Sequence, residues 1–139
     1  MRLGQRRRLS MPDFIALTRD VLEKGRSVRF QVWGSSMTPF IKDGDVITIV
    51  PVSAESDIGL GKVVAFLHPW LTGRRLVVHR VVGRRGSSFL IRPDHALGHD
   101  PFAYKLCDIL GRVVRVEISG THYSSRFRQG REEIDFHRR

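Results

Sequence analysis

The sequence predicts a mainly β protein, a β-sandwich or partly closed barrel, carrying one amphipathic helix near its N-terminus. Three observations predict it. Six short β-branched runs follow one another from residue 29 to residue 118: RFQVW, DVITIV, KVVAFL, RLVVHRVV, SFLIR and ILGRVVRVEI. They are bounded by Gly, Pro, Asp or Ser, as strands are. No helical pattern separates them, which excludes a regular alternation of strands and helices. Helical spacing occurs once, before the first run.

That helix is expected over about residues 11–24. Ser10 can cap it, Asp13 stands where a capping-box acid belongs, and Gly25 ends it. Pro12 fits the first turn, where its missing N–H costs nothing. Phe14, Leu17 and Val21 recur at helical spacing and predict the buried stripe. The polar face mixes Asp20 and Glu23 with Arg19 and Lys24, unlike a basic lipid-binding face. Among the strands, Asp43-Gly44 predicts a tight turn and Gly83-Arg84-Arg85-Gly86 a hairpin loop. The chain of 139 residues suits one domain. Its expected parts are a basic N-terminal segment with the helix (1–26), a β domain (27–120) and a charged tail (121–139), loose or forming a short surface helix.

Composition narrows the function classes only partly. A formal net charge of +10 attracts nucleic acid, anionic headgroups or acidic peptides without choosing among them. Cys107 is the single cysteine, so an intramolecular disulfide is excluded. Its apolar context, LCDIL, predicts a buried structural thiol. No run approaches the ~18 apolar residues of a membrane span. The basic start MRLGQRRRLS is followed by no apolar segment of signal-peptide type. These features predict a cytoplasmic protein, with peripheral attachment to the inner face of an anionic membrane left open.

The stretch Gly34-Ser35-Ser36-Met37-Thr38-Pro39-Phe40 departs from ordinary turn composition. A nucleophilic serine needs tightly turned backbone, a neighbouring base and N–H groups aimed at the developing oxyanion. Gly34 permits close approach of a substrate main chain, and Pro39 stiffens the exit. Ser36 is the candidate nucleophile and its own N–H a candidate oxyanion donor; read alone, such a stretch is more often a solvated turn. His79 lies inside the run LVVHRVV, where alternation groups it with Val77 and Val81 and sets Arg80 on the other face with Val78 and Val82. Desolvation between two valines favours a neutral, proton-accepting imidazole, although a core histidine has the same signature. The loop RPDHALGHDP supplies Asp94 and Asp100, either of which could orient an imidazole. His95 and His99 at four-residue spacing permit a metal reading, which Gly98 and Pro101 weaken by disfavouring a helix.

In order, FQVWGSSMTPFIKDGDVITIVPV, GKVVAFLHP, VVHRVV, FLIRPD with a later Asp, and DILGRVVRVE resemble the signal peptidase I family and the related self-cleaving peptidases of the LexA type. The resemblance covers roughly residues 30–117. It implies a serine endopeptidase without cofactor or metal, acting on a peptide or protein substrate bound as an extended strand. Ser36 falls on the nucleophile. His79 falls where many members place a lysine and where the archaeal, sporulation and endoplasmic-reticulum branch has histidine. Asp100 is implied to orient His79, with Asp94 as a supporting acid. Gly34, Ser35 and Met37 line the oxyanion and substrate side. Gly34 stands where bacterial signal peptidases place a serine, so that order matches the repressor type. Pro93 and His95 depart from the family's glycine and asparagine. The implied substrate is a precursor peptide or leader. Two other classes stay in view: a basic, DNA-linked regulator, disfavoured by the presence of one helix where a DNA-reading unit needs two, and a non-catalytic peptide-binding relative. The sequence leaves the oligomeric state open.

Overall fold

The computed structural model describes residues 2–4, 10–70, 73–95, 100–118 and 133–135. The expected helix is present as α1 (Met11–Glu23), with the Asp13 N–H donating to the Ser10 hydroxyl at 3.2 Å. Its buried residues are Phe14, Thr18 and Leu22, with Met11, Ile15 and Val21 partly buried against the same core. Leu17, expected in the buried stripe, is instead 40% exposed. The i, i+4 row through 14, 18 and 22 faces the sheet, and Leu17 lies to one side of it.

The strands are β1 (Arg2–Gly4), β2 (Ser27–Trp33), β3 (Val46–Pro51), β4 (Val63–Trp70), β5 (Gly73–Arg85), β6 (Ser88–Arg92), β7 (Phe102–Tyr104), β8 (Ile109–Glu117) and β9 (Glu133–Asp135). The six runs read from sequence are β2 to β6 and β8. They form one sheet in the order β1-β2-β3-β8-β4-β5-β6-β7, with β9 beside β2. All ladders are antiparallel except β2–β9. In a flat sheet β1 and β5 would stand about 24 Å apart, five strand spacings. They are instead in contact, so the sheet curls until one edge returns to its own interior. Register shifts at Thr48/Ile49, Ala65/Phe66 and Val81/Gly83 mark bulges, which sharpen local twist and bend.

Two cores follow from strand alternation. Val63, Ala65, Leu67, Leu76 and Val78 join the larger core under α1, where Phe14 meets Phe30 edge-on at 5.4 Å. Val64, Phe66, Val77 and Val81 face the other way and pack with Phe89, Ile91 and Tyr104. Burying a Phe of this kind contributes about 1.5–3 kcal/mol relative to leaving it exposed.

The structure corrects three expectations. Gly83-Arg84-Arg85-Gly86 is not a four-residue loop: β5 runs through Arg85, and the turn is Gly86-Ser87 with Gly86 at φ 59°. Arg84 stays in the ladder because its guanidinium lies 4.4 Å over the Phe89 ring and pairs with Glu55 at 3.0 Å. Cys107 is exposed, not buried; it sits in a 3₁₀ turn (Leu106–Asp108) where Leu106 takes the inward place. Within the tail, residues 133–135 form strand β9 rather than a loose end or helix; the rest of 121–139 lies outside the described residues. Among the described residues no helix is long and apolar enough to cross a membrane.

Gly111 of β8 shows how tightly the central strands meet. A Cβ there would stand 2.6 Å from the main-chain oxygen of Val50, which has no flexible end to yield. Gly111→Ala should therefore lower unfolding stability by about 1–3 kcal/mol in a denaturant titration; an unchanged midpoint would show that β3 and β8 can part at no cost.

Candidate active site

The serine turn begins where β2 ends. Gly34 adopts φ 111°, a conformation side chains disfavour, and its N–H donates to the Asp43 carboxylate at 2.6 Å. The Ser35 carbonyl accepts from the Thr38 N–H at 3.1 Å and from its hydroxyl at 2.5 Å. The Ile41 N–H closes onto the Met37 carbonyl at 2.9 Å, and the Thr38–Pro39 peptide is cis. Met37 and Ile41 are fully buried in the larger core, so they anchor the turn. The Met37 side chain thus faces inward, and only its main chain can meet a ligand. Ser35 is exposed and Ser36 half-buried.

The expected Asp43-Gly44 turn is present, with Gly44 at φ 86°. Gly44 donates to the Val32 carbonyl at 2.8 Å, and Gln31 Nε2 donates to the Gly44 carbonyl at 2.9 Å. This turn locks the base of the serine loop from below. Asp43 was not singled out from sequence. Its only signal was membership of a turn, and its use as an acceptor for Gly34 depends on the strands being paired.

Arg80 is the other residue that sequence reasoning passed over. Its Nε and one terminal nitrogen donate to the two oxygens of Asp94, both at 2.8 Å, and the other terminal nitrogen donates to the Gly61 carbonyl at 2.8 Å. The guanidinium also lies 4.8 Å from the Phe40 ring centroid. Such a fork on a carboxylate is both stronger and more directional than a single bond. The next residue, His95, donates its main-chain N–H to the Ser36 carbonyl at 3.0 Å. Three segments therefore meet at one corner: the serine turn, the Asp94–His95 turn, and β5 through Arg80.

His79 lies on the opposite face of β5 from Arg80, as alternation predicts. Its imidazole is 5.7 Å from the Phe66 ring. Burial pushes its pKa down to about 4; the nearby His68 adds to the shift and the Asp94 carboxylate opposes it. His68 itself meets the Tyr104 hydroxyl at 2.6 Å through Nδ1. Asp100 is exposed and lies two residues ahead of β7. His99 falls outside the described residues, so the His95/His99 pairing does too.

The linkage sign follows from this depression. A histidine held near pKa 4 in the fold and near 6.5 when unfolded takes up its proton first in the unfolded chain. Stability from this group is intact above about pH 6.5 and falls as pH drops toward 4. In an NMR titration the His79 ring should remain neutral to about pH 4. Asp94→Asn should depress it further by removing a negative charge. Titration near the ordinary value would show that the ring is hydrated instead.

Comparison with known families matches residues 5–114 to the model of Peptidase S24-like proteins. No curated protein and no solved structure matches the chain. The match spans α1, the serine turn, β5, the Asp94–His95 turn and most of β8, and leaves out β1 and β9. The broader resemblance read from sequence is thereby supported at the level of this family, without singling out its signal peptidase I branch. On its sequence, and with a fold whose serine turn rests on a curled β-sheet, the chain belongs to the Peptidase S24-like family.

Proposed function

We propose that the protein is a serine endopeptidase of the Ser-His type, with Ser36 as nucleophile and His79 as general base. The observation that supports the reading is the fixed serine turn, held by Arg80 to Asp94, Arg80 to Phe40, and His95 to Ser36, with the desolvated imidazole of His79 on the other face of the same strand. The reaction requires that imidazole to be brought to Ser36. A site assembled from three distant segments by a charged fork and main-chain bonds is held rigidly, as acyl-transfer chemistry requires.

In the proposed reaction Ser36 Oγ attacks the scissile carbonyl while His79 takes the hydroxyl proton. The oxyanion is received by the Ser36 N–H, with the Ser35 hydroxyl beside it. His79 then protonates the leaving amine, and water repeats the sequence on the acyl-enzyme. Asp100 is assigned to hold the imidazole tautomer. Asp94, with both oxygens engaged by Arg80, acts on His79 through its charge and on Ser36 through the position of the turn. Gly34 leaves room for the substrate main chain. The proposed substrate is a precursor peptide or leader, and the net charge of +10 favours acidic ones or attachment to an anionic membrane face. The histidine at position 79 is the residue that supports reading this chain with the Ser-His branch of signal peptidase-like enzymes.

A fluorophosphonate probe tests the nucleophile directly. Wild type should be labelled at Ser36, Ser36→Ala not at all, and His79→Gln about 10²–10⁴-fold more slowly. Because the base stays neutral to about pH 4, labelling should persist well below pH 6.5 and fail only toward 4. Candidate precursor peptides co-expressed with wild type should be cut, and Ser36→Ala should spare them. Labelling elsewhere, or cleavage that survives Ser36→Ala, would remove the assignment. Tight, salt-sensitive DNA binding without either activity would favour a regulator.

A further inference from the structure

The edge of β2 that faces away from β3 is already in use. Val32 spends its main-chain groups on the β3 side, donating to the Asp45 carbonyl at 2.9 Å and accepting from Gly44 at 2.8 Å. Alternation turns the N–H and C=O groups of Gln31 and Trp33 to the opposite edge. Along that edge Arg2, Leu3 and Gly4 lie antiparallel, in register with Trp33, Val32 and Gln31. The same three residues lie against β5, the strand that carries His79. The N-terminal strand thus runs between the strand that leads into the serine turn and the strand that bears the proposed base. β9 covers the remainder of that edge, opposite residues 27–29, so β1 alone covers the part next to Ser36 among the described residues.

An extended peptide that brings a carbonyl to Ser36 by strand addition needs these same main-chain groups. We propose that residues 2–4 are an intramolecular occupant of the peptide-binding edge, which a substrate strand must displace. The N-terminus is then an autoinhibitory strand. The inference rests on the peptidase reading only for what it excludes; the pairing of β1 with β2 stands apart from it. So short a ladder holds few hydrogen bonds, each contributing about 0.5–1.5 kcal/mol, so a longer substrate strand can outcompete it.

The test uses the full chain. Arg2 and Gly4 sit opposite Trp33 and Gln31, so their N–H groups face β2. The double variant Arg2→Pro/Gly4→Pro removes those donors. Amide exchange at Gln31 and Trp33 should speed up in the variant, while exchange at Val32, bonded toward β3, should not change. A synthetic peptide of sequence MRLGQRRRL added to the variant should restore protection. Fluorophosphonate labelling of Ser36 should rise about fivefold or more, the gain expected when most molecules are self-occupied. Equal protection in wild type and variant, or no rescue by the peptide, would overturn the proposal. So would Ser36-dependent loss of residues 1–9 from the wild-type chain, which would make that segment a substrate. The exchange readout decides the strand even where Ser36 fails to react, and failure to react counts against the nucleophile alone.

Discussion

One guanidinium ties the functional corner together. Arg80 reaches from the middle of β5 to both oxygens of Asp94, to the Gly61 carbonyl and to the Phe40 ring. Its side chain is 27% exposed and that of Asp94 19%, so solvent screens the pair only in part. Partly desolvated pairs with this geometry are stronger than exposed ones, and removing one partner strands the other's charge. The order of the serine turn follows. With Asp94 fixed, His95 is placed to bond the Ser36 carbonyl; with Met37 and Ile41 buried, the turn cannot swing away from it.

The sheet adds a second constraint by dividing labour between its faces. Alternate residues of β5 serve different purposes: Val78 and Arg80 work on the α1 side, Val77, His79 and Val81 on the other. Arg80 can therefore be a scaffold without occupying the space around His79. The imidazole is left among Phe66 and its neighbours, and this desolvation extends its neutral range down toward pH 4. In the proposed reaction, a base with so low a pKa accepts a proton only weakly until negative charge develops on the substrate oxygen and raises its basicity.

Much of this was legible from local pattern. β-Branched runs with period-two alternation located β2 to β6 and β8, and the cap at Ser10 located α1 to within a residue. The glycine-serine turn and the half-buried histidine could be named because each is unusual for its local setting. What escaped was non-local. Strands β1, β7 and β9 are three residues long and have no periodicity to read; they exist because an edge is available for them. The Arg80–Asp94 fork joins a strand to the loop beyond the next strand, and no sequence spacing announces it. Leu17 and Cys107 were misplaced because apolar character near a core does not say which side of a helix or turn points inward.

Catalysis of the proposed kind requires Ser36 and His79 to act on the same atom. A crystal structure of the protein phosphonylated at Ser36 measures that most directly. A Ser36–His79 mechanism predicts an imidazole nitrogen of His79 within about 2.6–3.2 Å of the Ser36 Oγ or of an oxygen on phosphorus. An adduct in which the ring remains turned toward Phe66, with no nitrogen approaching the phosphonate, would contradict it.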